Sequence, residues 1–413
     1  MKIVKLGILI LYSILIGGIV GLLTWGFLAV TSLIIHFLWV TLPQTFPIKN
    51  WTLLLCLIGG VLVGLCQKYF GNYPRNMEEV LAEFKETKRV DYKFVHTSTL
   101  TAFCVLSFGA SLGPEAALVG LVGGLSTWAG DTIKSLAKKN PILNEYGNIV
   151  TEYSMEATIS MIFRAPLFGA TTFFEDRNDS RLIKLIKTLV YVITTAAGFG
   201  VFILLSKIDG RSLSLANFGS GIVGKNEVIA IIPLIFLGIL LASLYKFFGD
   251  ILQKVLKPLE NYKIIKAVIG GLMLGLVGTI LPITLFSGEH QLTELAAGWT
   301  DISVYLLLVA GIVKLFLTEF CLATGWRGGP IFPVIFAGVS IGYGIALLFP
   351  IDPVTSITIL TTALTSAILK KPIAVIFIFI ILFPINLIIP MIIAAYMPIY
   401  IFKYKNKFMQ RLY

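Results

Sequence analysis

The chain has 413 residues, of which 57% are hydrophobic and only 13% are charged, a balance far too apolar for an ordinary water-soluble domain. The formal net charge of +11 would suggest nucleic-acid binding in a soluble protein, but here lysine and arginine collect in short stretches beside apolar segments. The composition therefore excludes a water-soluble fold and predicts a protein that crosses a membrane many times.

Apolar segments long enough to span a bilayer recur along the whole chain. In chain order they are 7–41, 51–69, 96–130, 149–174, 183–205, 228–248, 264–285, 303–323, 331–349, 355–369 and 372–402. Because a helix needs about 20 residues to cross, the pattern predicts roughly ten crossings. The segments are not the short alternating strands of a closed barrel, so we predict an all-α polytopic fold. Segments 7–41 and 96–130 exceed one straight crossing, which predicts either strong tilt or a break inside the membrane.

The polar connections divide the chain and orient it. We expect the most polar internal connection, 206–226, to separate a first membrane repeat (1–205) from a second (227–413) that ends in a short basic tail, and we expect no appended soluble domain. The positive-inside rule places the basic stretches, including those at both termini, on the cytoplasmic side. We therefore predict an even number of crossings and two cytoplasmic termini, in a prokaryotic plasma (inner) membrane.

Glycine and proline interrupt the apolar segments in the same order in both halves. The first half has Phe108-Gly-Ala-Ser-Leu-Gly-Pro-Glu115 and then Ile162-Phe-Arg-Ala-Pro-Leu167; the second has Thr324-Gly-Trp-Arg-Gly-Gly-Pro-Ile-Phe-Pro333 and then Ile368-Leu-Lys-Lys-Pro-Ile373. A helix broken inside the membrane exposes N–H groups and the positive end of its dipole, and an anion satisfies both. Matched interruptions in two halves are therefore typical of a transporter site near the membrane midplane.

At these motifs the chain resembles the CLC family of chloride channels and proton-coupled chloride transporters. The family's Gly-Arg-Glu-Gly-Pro signature corresponds to Gly113-Pro114-Glu115-Ala116-Ala117, and its Gly-Gly-Ile-Phe-Ala-Pro signature to Gly328-Gly-Pro-Ile-Phe-Pro333. Arg164-Ala-Pro-Leu-Phe-Gly169, followed by Glu175 and Asp176, is similar to a third family motif. The resemblance implies two inverted repeats with helices broken at the midplane, and a homodimer in which each subunit has its own ion path.

The resemblance also implies which residues hold the anion. It assigns Gly113, Pro114, Ala116, Ile331 and Phe332 to the anion site. The family's Gly-Ser-Gly-Ile-Pro motif appears here only as Gly71-Asn-Tyr-Pro74, so Gly71 stands where a serine hydroxyl would contact the anion. The tyrosine at the inner end of the path has Tyr396 as its first candidate, with Tyr400 and Tyr404 as alternatives. These departures leave fluoride or nitrate open beside chloride.

Two acidic residues carry the proposed proton chemistry. Glu115 opens a half-helix inside an apolar segment, where a carboxylate is costly and usually functional. As a carboxylate it can occupy an anion site itself, and once protonated it leaves and lets the ion pass. By resemblance, Asp176 takes the position of the inner proton acceptor of coupled family members. The alternatives are a helix-capping role for Glu115 and a plain juxtamembrane charge for Asp176.

The sequence therefore predicts transport of a small inorganic anion, most simply chloride, in exchange for protons and gated by Glu115. A passive anion channel of the same fold is the nearest alternative, and a non-transporting scaffold is another. The four cysteines and three histidines form no metal or catalytic motif, so neither a cofactor nor an enzyme activity is predicted.

Overall fold

A computed structural model of the chain describes residues 2–87, 89–136, 160, 181–210, 216 and 218–412. Within these residues the regular structure is helical throughout. The helices of the first half are α1 (Lys2–His36), α2 (Trp51–Tyr69), α3 (Met77–Thr87), α4 (Val95–Ser107), α5 (Glu115–Leu136) and α6 (Arg181–Ile208). Those of the second half are α7 (Lys225–Leu256), α8 (Lys263–Ile280), α9 (Glu289–Gly298), α10 (Val304–Ala323), α11 (Ile331–Leu348), α12 (Pro353–Leu369), α13 (Pro372–Leu382) and α14 (Ile388–Leu412).

Short turns extend or join these helices. A π-helical turn, Phe37–Thr41, and the four residues Leu42–Thr45 continue α1 without a break. Four 3₁₀ turns lie in the second half: Lys257–Leu259, Pro282–Thr284, Trp299–Asp301 and Ile385–Leu387.

The helices have the length and composition of membrane spans, which confirms the all-α polytopic prediction. Eight helical segments of the described chain are long and apolar enough to cross a bilayer, and α4, α12 and α13 are shorter apolar helices. Large apolar side chains also point outward, for example Ile229 at 72% exposure and Leu240 at 64% on α7. Such surfaces are stable in lipid and costly in water.

The long apolar segments predicted from the sequence form either one helix or two in the structure. Segment 7–41 is one continuous helical run, Gly7–Thr45, of 39 residues. Segment 96–130 is broken between α4 and α5, so of the two predicted alternatives, tilt or a break, it has the break. Segment 372–402, predicted as one span, is two helices, α13 and α14. The break falls at Phe383-Pro384, because the residue before a proline disfavours helical backbone.

The chain folds into two compact units, each assembled from separate stretches of sequence. The first comprises residues 1–42, 72–103 and 114–213. In it α1 packs closely along α6: a Cβ atom built at Gly21 would lie 2.3 Å from the carbonyl oxygen of Gly198. Only glycine permits this approach, a common device of membrane helix pairs. Arg89 forms an ion pair with Asp131, which ties the connection after α3 to α5.

The second unit comprises residues 43–71, 104–113 and 214–413. Its helices α2 and α8 pack so closely that a Cβ atom at Gly271 would lie 2.2 Å from the carbonyl oxygen of Cys56. Its core joins α7, α10, α11, α12 and α14 through buried aliphatic side chains. Members of this core include Leu234, Ile235, Leu241, Leu315, Val334, Ala337, Ile341, Ile359, Leu360, Ala363, Leu364 and Ala394. The core therefore holds α11, the helix that follows the second glycine-rich motif, on several sides.

Candidate functional site

Two glycine-rich loops interrupt the apolar helices at matching positions. Residues 108–114 separate α4 from α5, and residues 324–330 separate α10 from α11, so each loop has seven residues. Each loop has a left-handed glycine as its second residue, Gly109 with a φ of 86° and Gly325 with a φ of 90°. Glycine adopts this backbone region without the steric cost that other residues meet. The two loops thus share length and backbone conformation, as the paired motifs predict.

The second unit brings these loops into direct contact. The Gly113 N–H donates to the Gly329 carbonyl at 2.7 Å, and the Gly329 N–H donates to the Gly113 carbonyl at 2.9 Å. Beside this bridge, a Cβ atom at Gly328 would lie 2.7 Å from the Cβ of Leu112. The hydroxyls of Ser111 and Thr318 add a 3.4 Å contact between the first loop and α10. Motifs more than 200 residues apart in sequence therefore meet backbone to backbone.

Helix α11 begins directly after the bridge, in a buried setting. Its first residues, Ile331 and Phe332, are 3% and 5% exposed. Its N-cap is Pro330, whose side chain offers no hydrogen-bond acceptor. The first turn of any α-helix directs N–H groups and the positive end of the dipole outward, which favours an anion. Gly113, Ile331 and Phe332 are thus close to one another along two paired backbone segments of the second unit.

Glu115 is the first residue of α5, in the first unit. Its side chain is 0% exposed, and the neighbouring Ala116 is 1% exposed. The carbonyl of Pro114 accepts the N–H of Leu118 at 2.9 Å, so the helix is fully formed from its first turn. A carboxylate in this position is stabilised by the helix dipole, whereas burial favours its neutral form.

Gly71 and Tyr396 lie elsewhere in the second unit. Gly71 follows the end of α2 with a φ of 91°, a conformation that would strain a serine. Tyr396, half-buried on α14, lines a surface groove with Ile393, Met397 and Tyr400 of the same helix. Within the described chain, no hydrogen bond joins either residue to the paired loops.

One predicted site residue cannot be placed. Asp176 lies outside the described residues, as do Glu175 and the motif from Arg164 to Gly169. Its role as a proton acceptor stays a prediction.

Two residues that support the loops were not singled out from the sequence. Trp326 in the second loop is 0% exposed, and its indole N–H donates to the Ala267 carbonyl of α8 at 2.9 Å. Lys314 in the middle of α10 is also 0% exposed. A lysine inside an apolar segment was a signal in itself, because intramembrane ionisable residues are rare and usually functional. The partners of both side chains are distant in sequence, and no local pattern reveals them.

The amino-acid sequence matches a known family along most of the chain. The family model for the voltage-gated chloride channel matches residues 59–403. The chain belongs to the CLC family. The resemblance seen in the glycine-rich motifs is thereby confirmed, and with it the expectation of a multi-pass membrane protein of the voltage-gated chloride channel family.

Relatives of this CLC protein are found in enteric bacteria. The YfeO protein of Escherichia coli O7:K1, named as a candidate ion-transport protein, is 26% identical over 355 residues, which cover 81% of this chain and 78% of YfeO. YfeO of Salmonella schwarzengrund is 26% identical over 345 residues, which cover 81% of this chain and 79% of that protein.

Solved CLC structures share the fold. A crystal structure of a CLC-type fluoride/proton antiporter is similar with a TM-score of 0.71 and 19% identity, over 96% of this chain and 95% of that one. The X-ray structure of a slow cyanobacterial Cl⁻/H⁺ antiporter is similar with a TM-score of 0.68 and 18% sequence identity, over 95% of this chain and 93% of that one. The crystal structure of a eukaryotic CLC transporter is similar with a TM-score of 0.69 and 13% sequence identity, over 97% of this chain and 71% of that one. At these identities the likeness concerns the fold alone.

Proposed function

We propose that this CLC protein exchanges a small inorganic anion, most simply chloride, for protons across the plasma membrane, and that Glu115 is the gate. It acts without a cofactor and catalyses no covalent reaction. As in the family it resembles, it assembles as a homodimer with both termini in the cytoplasm.

The single observation that carries the proposal is the backbone pairing of Gly113 with Gly329. The pairing places two helix interruptions side by side and leads directly into the buried N-terminus of α11. An anion there meets N–H groups and a helix dipole in surroundings of low dielectric constant, where such interactions are strong. The same surroundings are unfavourable for a cation, which accounts for selectivity by the sign of the charge.

Glu115 supplies a chemical link between the anion and a proton. It is fully buried at the first position of α5. When ionised, its carboxylate competes with a transported anion for the N–H groups at that helix end. Protonation removes the charge and therefore the competition, so that each opening of the path consumes one proton. Asp176 would receive protons on the cytoplasmic side. An acid at that position favours exchange over a passive channel.

The identity of the anion is the second part of the proposal. Chloride is the first choice from the family. Fluoride is a specific alternative, because the serine hydroxyl is absent at Gly71 and because one structurally similar protein is a fluoride/proton antiporter. Fluoride accepts hydrogen bonds from backbone N–H groups more strongly than chloride, so a site built from backbone alone would suit it.

The test is anion-driven proton movement in liposomes that contain the purified protein. An outward gradient of chloride, fluoride or nitrate is imposed in turn, and internal pH is recorded together with anion efflux. Empty liposomes set the background leak for each anion. Exchange predicts that the permeant anion drives protons inward against their own gradient.

Each result has a distinct meaning. Anion efflux without uphill proton movement would replace exchange by a passive channel. Efflux of fluoride but not of chloride would replace chloride by fluoride. No efflux of any of the three anions from liposomes with folded protein would overturn the transport function and favour a non-transporting scaffold.

A further inference from the structure

Lys314 is a fully buried lysine at the middle of a membrane span. It is 0% exposed and lies eleven residues into α10, which runs from Val304 to Ala323. An ammonium group in such surroundings is costly unless it is well solvated by the protein. A lysine kept at this depth therefore requires specific partners.

Backbone carbonyl groups replace water around its ammonium group. Its Nζ donates to the carbonyl of Thr284 at 3.0 Å, of Leu285 at 3.1 Å and of Phe286 at 2.6 Å. A neutral amine has two N–H bonds and would direct a lone pair at one of these three oxygens, whereas an ammonium group has three N–H bonds. The geometry therefore fits the charged form. The ring of Phe336, 5.1 Å from Nζ, adds a cation–π contact.

The charge of Lys314 has no counter-ion among the described residues. The ion pairs Arg75 with Glu83 and Arg89 with Asp131 lie in the first unit, and neither involves Lys314. Carbonyl groups solvate a cation but do not neutralise it. A buried charge normally has a partner of opposite sign. A transported anion would be such a partner.

The position of Lys314 links it to both glycine-rich loops. The N–H of Phe286, whose carbonyl binds Lys314, donates to the carbonyl of Gly109 in the first loop at 3.2 Å. Phe286 has a φ of 58°, an unfavourable value for a phenylalanine, so the turn needs external support. On the other side, Phe336 lies in the second turn of α11, about 7.5 Å along the axis from Ile331. Lys314 therefore contacts the supports of the first loop and the helix that follows the second.

We propose that Lys314 is a positioning residue of the anion path, whose fixed positive charge attracts the anion and whose three hydrogen bonds hold the 284–286 turn against the first glycine-rich loop. The inference rests on the proposed function, since it needs an anion at the start of α11. A charge about 10 Å from an anion, at an effective dielectric constant of about 20, changes the anion's affinity roughly tenfold.

The test measures anion affinity directly, by isothermal titration of detergent-solubilised protein with sodium chloride, sodium fluoride and sodium nitrate. Lys314→Met removes the charge and keeps the length, Lys314→Gln keeps N–H donors without charge, and Lys314→Arg keeps the charge. We expect Lys314→Met and Lys314→Gln to bind the anion about tenfold more weakly than wild type, and Lys314→Arg to retain most of the wild-type affinity. Lys254→Met removes an exposed charge from α7 and is the matched control, with affinity within twofold of wild type because solvent screens that charge.

Circular dichroism and size-exclusion chromatography separate a loss of charge from a loss of fold. If Lys314→Gln is folded and binds as tightly as wild type, the charge has no role and the inference is overturned. If Lys314→Gln and Lys314→Arg are equally stable and bind the anion equally weakly, the shape of the side chain rather than its charge is decisive. That result would overturn the inference as well. Should the wild type bind none of the anions, the proposed function fails, and this inference fails with it.

A second pair of variants covers the case in which no neutral variant at position 314 folds. Thr318 lies one turn after Lys314 on α10, and its hydroxyl donates to the Lys314 carbonyl. Thr318→Asp adds a counter-charge beside the intact lysine, and Thr318→Asn has the same shape without charge. The aspartate variant should bind anions at least about fivefold more weakly than the asparagine variant. Equal affinity of the two would contradict the electrostatic role of Lys314.

Discussion

Trp326 provides a quantitative test of how the second glycine-rich loop is held. Its side chain is fully buried, and its indole N–H donates to the Ala267 carbonyl at 2.9 Å. The ring fits against α2 and α8: a Cβ atom at Gly59 would lie 3.1 Å from it, and one at Gly270 would lie 2.5 Å from its nitrogen. The second loop is therefore attached to the pair of helices α2 and α8.

Two substitutions separate the parts of this attachment. Trp326→Phe loses the hydrogen bond, worth about 1 kcal/mol, while most of the apolar contact remains. Trp326→Ala also leaves a large cavity, and such truncations cost about 3–5 kcal/mol of the free energy of unfolding. Trp128, 51% exposed on α5, is the matched control, and its change to phenylalanine should cost less than about 0.5 kcal/mol.

The assay is reversible unfolding in mixed micelles with increasing sodium dodecyl sulfate, followed by circular dichroism, together with anion efflux from liposomes. We expect stability and efflux to fall in the order wild type, Trp326→Phe, Trp326→Ala. Equal stability of Trp326→Ala and wild type would refute the anchoring role. Equal losses in the two variants would show that the hydrogen bond, and not packing, holds the loop.

Four further predictions concern packing and polar groups away from the loops, with the same unfolding assay. Thr365 is buried on α12 and its hydroxyl makes no hydrogen bond within the described chain, so Thr365→Val should raise the free energy of unfolding by about 1 kcal/mol; a loss would reveal a polar partner. The neighbouring Ser366 donates to the Ala395 carbonyl of α14, so Ser366→Ala should instead lower it by about 1 kcal/mol. Gly271→Leu should cost more than about 3 kcal/mol, because α2 and α8 must separate, and normal stability would contradict their close packing. Arg89→Met should cost less than about 1 kcal/mol, since its ion pair with Asp131 is partly exposed, and a larger loss would give that pair a structural role.

Much of the fold follows from local sequence patterns. Hydrophobic segments locate the helices because membrane spans need a continuous apolar run of defined length. The seven-residue loops are visible as glycine and proline motifs, since only these residues permit the required backbone. The break at Pro384 was missed, because the apolar character of the chain continues across it and hides the end of α13.

The supports of the candidate site are not visible in the same way. Lys314 binds carbonyl groups that lie 28 to 30 residues earlier in the chain, and Trp326 binds one that lies 59 residues earlier. Carbonyl groups belong to every residue, so a sequence gives no sign of which ones a side chain will meet. Gly71 is a second example: its left-handed backbone would strain a serine, and only the structure reveals that backbone.

The most direct test of the central claim compares wild type with Glu115→Gln in liposomes that report anion efflux and proton uptake together. Glu294→Gln, an exposed change on α9, controls for the loss of one carboxylate. We predict that anion efflux persists in Glu115→Gln while uphill proton uptake disappears, and that Glu294→Gln retains both. Undiminished proton uptake in Glu115→Gln would contradict the assignment of Glu115 as the proton-linked gate.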